Sequence, residues 1–127
     1  MTEKTILEKL QVKTGRTFKV VNLPQDVEGI ITDLPLGAHF AADKEPADIV
    51  LFFVKTFDEI RSLFPMVDGV IKDNGIPWLA YPKKSSKITT DLDRDKIWQF
   101  LQTIGWTGVA MISIDETWSG FRMKKVG

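Results

Sequence analysis

The chain has 127 residues, 43% of them hydrophobic and 27% charged, and this composition predicts one soluble globular domain spanning residues 1–127. Basic and acidic residues number 17 each, so the formal net charge is zero. This balance argues against a protein that binds nucleic acids or anionic membranes. Cysteine is absent, which excludes disulfides, thiolate nucleophiles and zinc–thiolate sites.

The amino-terminal segment, MTEKTILEKLQVKTG, is charged from its start and lacks the apolar stretch of a secretory signal. Three of its apolar residues recur at helical spacing instead: Ile6, Leu7 and Leu10. No apolar run in the chain approaches the roughly 20 residues that span a bilayer. We therefore predict a cytoplasmic protein without membrane contact.

The first strand is predicted over residues 17–23, which are rich in β-branched and aromatic side chains and end at Pro24. Residues 38–43 form a weaker, shorter strand. Between the two strands, four apolar residues have the spacing of a short amphipathic helix: Val27, Ile30, Ile31 and Leu34.

Residues 48–54, DIVLFFV, give the strongest core signal of the chain. Six consecutive apolar residues are typical of a strand buried on both faces, in a parallel sheet covered by helices. If strands 38–43 and 48–54 are parallel with one strand between them, the segment that connects them must span roughly 20 Å. Six fully extended residues span about 21 Å, so such a connection would be nearly taut. The orientation of strand 38–43 is therefore left open.

A helix is predicted after the central strand, because Thr56 and Glu59 form a capping-box pattern ahead of an apolar face. Pro65 should interrupt this helix, and an apolar face resumes from Met66. Asn74 with Gly75 then favours a turn or a helix end. The next strand is predicted over residues 76–82.

A second capping-box pattern, Thr90 with Asp93, begins a helix that ends at Gly105 and has one apolar face: Ile97, Trp98, Leu101 and Ile104. Two extended stretches on either side of Asp115 then predict an antiparallel hairpin. Its first strand should lie inside the sheet. Its second strand, which ends in basic residues, should form the edge.

Strands that alternate with helices and are followed by a hairpin predict an α/β fold. The expected architecture has three layers: a Rossmann-like, mainly parallel sheet, helices on both of its faces, and a C-terminal antiparallel β-hairpin.

The strings YPKKSS and DETWS, together with ADIVLFFVKTFDEI, resemble a small family of bacterial proteins known as a domain of unknown function. The resemblance covers most of residues 15–125. It implies a shared organisation and supplies no activity and no catalytic residues.

The order of strand, helix, strand, helix and hairpin is also similar to the C-terminal half of a class I Rossmann-type methyltransferase. Such enzymes hold S-adenosylmethionine at a glycine-rich turn after the first strand. The matching segment here is VVNLPQDVEG, where Pro24 and Gln25 replace glycine, and no G-x-G occurs in the chain. The sequence therefore identifies no cofactor.

Five residues directly after strand 76–82 are the main candidates for binding an anion: Lys83, Lys84, Ser85, Ser86 and Lys87. They follow the carboxyl end of a predicted parallel strand, where open α/β folds place ligands. Their ammonium and hydroxyl groups suit a phosphate or a carboxylate. The alternative is a solvated loop, in which nearby aspartates compete for the lysines.

The secondary candidates lie in the predicted hairpin. Asp115 and Glu116 are paired carboxylates, suited to acid and base chemistry or simply exposed at a hairpin tip. Trp118 and Arg122 share one face of a strand, where the guanidinium could stack on the indole, or Trp118 could pack in the core. His39 is the only histidine, so no metal site is expected.

Three functions are compatible with these features. The first is a non-catalytic module that binds a small anionic ligand or a protein partner. The second is a small enzyme, either methyltransferase-like or acting on an anionic substrate through the loop at 83–87. The third is a self-association module that forms a homodimer through the edge of its hairpin. A hydrolase is rejected because G-x-S-x-G is absent.

Overall fold

The computed structural model describes residues 10, 12, 15–24, 37–42, 45–84, 86, 88 and 90–126. Its helices are α1 (Phe57–Val70) and α2 (Arg94–Thr103). Its strands are β1 (Thr17–Val21), β2 (His39–Phe40), β3 (Ala47–Phe53), β4 (Ile71–Pro82), β5 (Trp106–Ser113) and β6 (Trp118–Lys125). The predicted helix at 27–34 lies outside the described residues, as does most of the amino-terminal helical pattern.

The strands form one six-stranded sheet in the order β2-β1-β3-β4-β6-β5. Neighbours among β2, β1, β3 and β4 are parallel, whereas β6 is antiparallel to both β4 and β5. The predicted Rossmann-like α/β sheet with a C-terminal antiparallel hairpin is confirmed. The short strand β2 is parallel to β1, and the strand order places β2 and β3 on opposite sides of β1.

Strand β3 lies in the middle of the parallel part of the sheet, between β1 and β4. Val50 and Phe52 belong to one apolar cluster, and Ile49, Leu51 and Phe53 belong to another. All five side chains are buried. The apolar run therefore fills the core on both faces of the sheet, as predicted.

The two described helices cover the same face of the sheet. Five of their buried residues share the cluster of Val50 and Phe52: Ile60, Phe64, Val67, Ile97 and Leu101. The cluster on the other face includes Leu10 and Val12, and Trp78 Nε1 donates to the carbonyl of Leu10 at 3.1 Å. No helix in the described part of the chain is long and apolar enough to cross a membrane.

Helix α1 begins as predicted but passes through Pro65 without a break. The hydroxyl of Thr56 accepts a hydrogen bond from the Glu59 amide at 3.2 Å, which caps the first turn. The prediction that Pro65 interrupts the helix is wrong. Pro65 is exposed, so the carbonyl of Arg61 that loses its amide partner lies on the solvent side, where water can replace the bond.

The predicted turn at Asn74 and Gly75 is instead part of β4, which begins at Ile71. The pairing with β3 shifts here, since Ala47 pairs with Ile71 and Ile49 pairs with Ile76. The turn-forming residues therefore mark an irregularity of the strand. A Cβ atom on Gly75 would collide with the side chain of Ile71, so this close approach requires glycine.

The hairpin has the opposite arrangement from the predicted one, because β6 is interior and β5 is the edge. β6 pairs with β4 only from Trp118 to Arg122, so its basic end lies past the paired part of β4 and is exposed. Strand β5 exposes Val109 and Met111. Self-association through the hairpin edge, which stays a prediction, would therefore use β5.

Gly108 of β5 permits close packing of the Phe121 ring, and we expect Gly108→Ala to lower the free energy of unfolding by about 1–3 kcal/mol. An added Cβ would overlap the ring, which is buried in the core. Gly69→Ala in α1 is the matched control. Nothing lies within 4 Å of its added Cβ, so it should stabilise by up to about 1 kcal/mol. Urea denaturation measures both, and equal effects would contradict the packing argument.

Candidate functional site

A pocket of about 360 Å³ opens at the carboxyl end of β4, and we call it the β4 pocket. Its volume falls within the roughly 300–1,000 Å³ of small-molecule sites. It is formed by the end of β4, the start of α2 and the hairpin. Its lining residues are Tyr81, Lys83, Lys84, Asp93, Arg94, Asp95, Met111 and Ser119.

Two of the five predicted anion-binding residues, Lys83 and Lys84, line the β4 pocket. The Lys83 amide donates to the carbonyl of Thr117 at 2.7 Å, which extends the contact between β4 and the hairpin beyond Pro82. The Ser86 hydroxyl donates to the Lys83 carbonyl at 2.7 Å and supports a turn there. Ser86 does not line this pocket, and Ser85 and Lys87 lie outside the described residues.

The cations of the β4 pocket are weakly neutralised. Lys83 Nζ donates to the Ser113 hydroxyl at 2.6 Å, and no carboxylate of the described residues forms an ion pair with it. Lys84 Nζ lies 3.9 Å from Asp93, and Arg94 Nε lies 3.4 Å from Asp95. Both pairs involve exposed cations, so solvent screens them and an entering anion can compete for them.

Asp93 caps α2, because one of its carboxylate oxygens accepts the Lys96 amide at 2.8 Å. This hydrogen bond holds the pKa of Asp93 below its usual value. The predicted cap Thr90 instead donates to the carbonyl of Lys55 at 2.6 Å. The helix therefore begins at Arg94, whose side chain reaches the pocket.

The predicted apolar face of α2 is only partly buried. Ile97 and Leu101 are fully buried, whereas Trp98 and Ile104 are exposed. The indole N–H of Trp98 donates to the Thr107 hydroxyl at 3.0 Å, which ties α2 to the edge strand.

We expect Asp93→Ala to lower the free energy of unfolding by about 0.5–2 kcal/mol at pH 7, whereas Asp93→Asn should cost much less because asparagine keeps an acceptor. The folded-state pKa is lowered, so the stabilisation by the carboxylate is complete above the unfolded value of about 3.9 and is lost as pH falls through the folded value. Urea denaturation at pH 7 and pH 3 measures this. A cost that does not depend on pH would contradict it.

Tyr81 contributes a hydroxyl group to the β4 pocket, and burial raises its pKa. The phenol therefore stays protonated at neutral pH and can donate a hydrogen bond. The sequence analysis also did not identify three further lining residues as site residues: Arg94, Met111 and Ser119. Arg94 was detectable as the residue after a helix cap. No local pattern marks the other two, because hairpin pairing brings them to the pocket.

The secondary candidates lie away from the lining of the β4 pocket. Asp115 accepts the amides of Thr117 and Trp118 at 2.8 and 2.7 Å, so its carboxylate shapes the hairpin turn. Glu116 is exposed at the tip, and Arg122 pairs with Trp78 across the β4–β6 ladder.

The cation–π contact found among the described residues places Lys125 Nζ 5.6 Å from the ring centroid of Trp106. The predicted stacking of Arg122 on Trp118 is not found there. His39 forms a weak contact with Glu45 at 3.4 Å on the exposed strand β2. The described part of the chain contains no cluster of acidic and histidine side chains that could hold a metal ion.

The strand order of the sheet reverses at β1, which has β2 on one side and β3 on the other. A second crevice lies at this point, where open α/β folds commonly bind ligands. We call it the switch-point crevice; it has a volume of about 130 Å³. Asn22 follows β1 with a φ of 60°, a left-handed conformation that asparagine tolerates. The described residues that line it are Asn22, Leu23, Pro24, Phe53, Lys55, Glu59 and Trp118.

No protein-family model matches this chain, and no curated protein matches its sequence. Solved methyltransferase structures resemble its fold. A ribosomal protein L11 methylase from Lactobacillus delbrueckii subsp. bulgaricus has a TM-score of 0.59 at 13% identity, over 96% of this chain and 75% of that one. A putative type 11 methyltransferase from Sulfolobus solfataricus has a TM-score of 0.58 at 12% identity, over 95% and 89%.

An S-adenosylmethionine-dependent methyltransferase from Thiobacillus denitrificans, in complex with S-adenosyl-L-homocysteine, has a TM-score of 0.53 at 10% identity, over 93% of this chain and 88% of that one. The predicted methyltransferase-like architecture is therefore confirmed at the level of fold. The resemblance to a small bacterial family stays a prediction.

An S-adenosyl cofactor in an open α/β fold would be expected at the switch-point crevice. Here the side-chain nitrogen Nδ2 of Asn22 donates to the Phe53 carbonyl at 2.8 Å and to the Glu59 carboxylate at 3.1 Å. Pro24, in the segment after β1, offers no backbone N–H. A volume of about 130 Å³ is also below that of ordinary cofactor pockets. The described residues of this crevice do not fit a nucleoside-sized group.

Proposed function

We propose that this protein is a small enzyme with a methyltransferase-like fold that takes an anionic small-molecule substrate into the β4 pocket. The observation that carries the proposal is the convergence of three cationic side chains, Lys83, Lys84 and Arg94, on a pocket of ligand size at the carboxyl edge of the sheet. The fold of the solved neighbours supports the enzyme alternative over the non-catalytic module, which no comparison supports.

The substrate class follows from the charges around the pocket. Lys83 is the cation without a carboxylate partner among the described residues, so it is the primary contact for a phosphate or carboxylate group. The protonated hydroxyl of Tyr81 is a further donor, and Met111 offers an apolar surface to the rest of the molecule. Asp93 and Asp95 disfavour highly charged anions, so we propose a substrate with one anionic group.

A thermal-shift screen tests this proposal with nucleotides, S-adenosyl compounds, acyl carriers and sugar phosphates. A ligand at 100 times its Kd adds about 2.7 kcal/mol to the free energy of unfolding, which raises Tm by roughly 10 °C in a domain of this size. We expect at least one compound with a single phosphate or carboxylate to stabilise the protein. Failure of every anionic compound to raise Tm would reject the proposal.

The second candidate is methyl transfer from an S-adenosyl cofactor, which the complex of the Thiobacillus neighbour favours. The same screen separates it from the first. Stabilisation by S-adenosyl-L-homocysteine that persists in Lys83→Ala/Lys84→Ala would favour this second candidate. No stabilisation by S-adenosyl-L-homocysteine would leave the anionic substrate as the better proposal.

A further inference from the structure

We propose that the switch-point crevice binds a small oxyanion, the size of a carboxylate or phosphate group, through the indole N–H of Trp118 and the ammonium group of Lys55. This site is distinct from the β4 pocket and does not depend on the function proposed for that pocket. The ligand also differs from the nucleoside cofactor that the crevice does not fit.

The first observation is an unpaired donor. Trp118 is 1% exposed, and its Nε1 is buried without a hydrogen-bond partner among the described residues. The indoles of Trp78 and Trp98, by contrast, donate to Leu10 and Thr107. A buried donor without an acceptor costs about 1–3 kcal/mol, and an acceptor supplied by a bound ligand would remove that cost.

The second observation is that Trp118 lines the crevice and that its side chain and backbone are held in place there. Trp118 lines the crevice together with Lys55, and its ring packs edge-on against Phe53 at a centroid distance of 5.1 Å. Its backbone amide donates to Asp115 at 2.7 Å. The donor is therefore positioned before a ligand arrives, which lowers the entropic cost of binding.

The third observation concerns charge. Glu59 is the carboxylate among the described lining residues, and both of its oxygens are engaged. One oxygen accepts the backbone N–H of Lys55 at 2.7 Å, and the other accepts a hydrogen bond from Asn22 Nδ2 at 3.1 Å. No carboxylate of the described residues forms an ion pair with the ammonium of Lys55. Glu59 keeps its negative charge but has both oxygens occupied by amide donors, so the Lys55 ammonium and the Trp118 indole are the groups left to bind a single oxyanion.

The size of the crevice restricts the ligand. About 130 Å³ is several times the roughly 30 Å³ that one water molecule occupies in the liquid. Acetate or inorganic phosphate can enter a space of this size, whereas a nucleoside cannot. The helix α1 begins beside the crevice, and its N-terminal dipole adds a favourable potential for an anion.

Nuclear magnetic resonance of the indole N–H groups tests the inference. The Trp118 resonance is assigned by its disappearance in Trp118→Phe, and the protein is titrated with sodium acetate, sodium phosphate or sodium chloride at equal ionic strength. We expect a saturable shift of this resonance with acetate or phosphate and none with chloride. A response to acetate alone identifies a carboxylate ligand, and a response to phosphate alone identifies a phosphate ligand.

The variants locate the site. Lys55→Met should weaken the response at least tenfold, whereas Lys124→Met, an exposed lysine at the opposite edge of the sheet, should leave it unchanged. Lys83→Ala/Lys84→Ala should also leave it unchanged, which separates this site from the β4 pocket. No saturable shift with either oxyanion, an equal shift with chloride, or a shift with S-adenosyl-L-homocysteine would each overturn the inference.

Discussion

Phe52→Ala is expected to lower the free energy of unfolding by about 3–5 kcal/mol, the usual cost of truncating a buried phenylalanine. Phe52 is fully buried in the central strand β3 and packs edge-on against Phe64 of α1 at 6.1 Å. The truncation removes apolar burial and leaves a cavity between the sheet and the helix, which the surrounding core can fill only partly. Urea denaturation measures the loss.

Phe40→Ala is the matched control, because it makes the same chemical change on the edge strand β2. Phe40 is 49% exposed and stacks on Phe18 at 5.8 Å, so we expect a loss of only about 0.5–1.5 kcal/mol. Similar losses for the two variants would contradict the central position of β3, on which the geometry of the carboxyl edge depends.

Lys83→Ala/Lys84→Ala is expected to weaken the binding of the most stabilising anionic compound by about 10- to 100-fold. A hydrogen bond to a charged group contributes about 1.5–3 kcal/mol, and the exposure of Lys84 places its share at the low end of that range. Isothermal titration calorimetry measures Kd directly. The variant should fold normally, because Lys83 and Lys84 lie outside the buried core.

Lys72→Ala/Lys124→Ala removes the same charge from the opposite edge of the sheet. This control should leave Kd within about twofold of the original value if the contacts are local. A comparable loss of affinity in both double variants would mean that the anion responds to total charge, and the β4 pocket would then not be the binding site. Added salt should weaken binding to the original protein more than to Lys83→Ala/Lys84→Ala.

The sequence by itself determined the central strand, the α/β class and the carboxyl-terminal hairpin. Seven residues from Asp48 to Val54 contain an unbroken apolar run, and burial on both faces of a sheet requires such a run. The capping pattern of Thr56 and Glu59 likewise placed the start of α1, since a cap involves residues only a few positions apart. Lys83 and Lys84 were found because they directly follow a predicted strand.

Only the tertiary structure decided which strand of the hairpin pairs with β4, and therefore which residues complete the two sites. Arg94 and Met111 reach the β4 pocket from different elements, and Trp118 reaches the switch-point crevice opposite Asn22. The local spacing of apolar residues indicates which positions of an element are buried. It does not specify which distant surface supplies the neighbour, because strand order and register are set by the packing of the whole sheet.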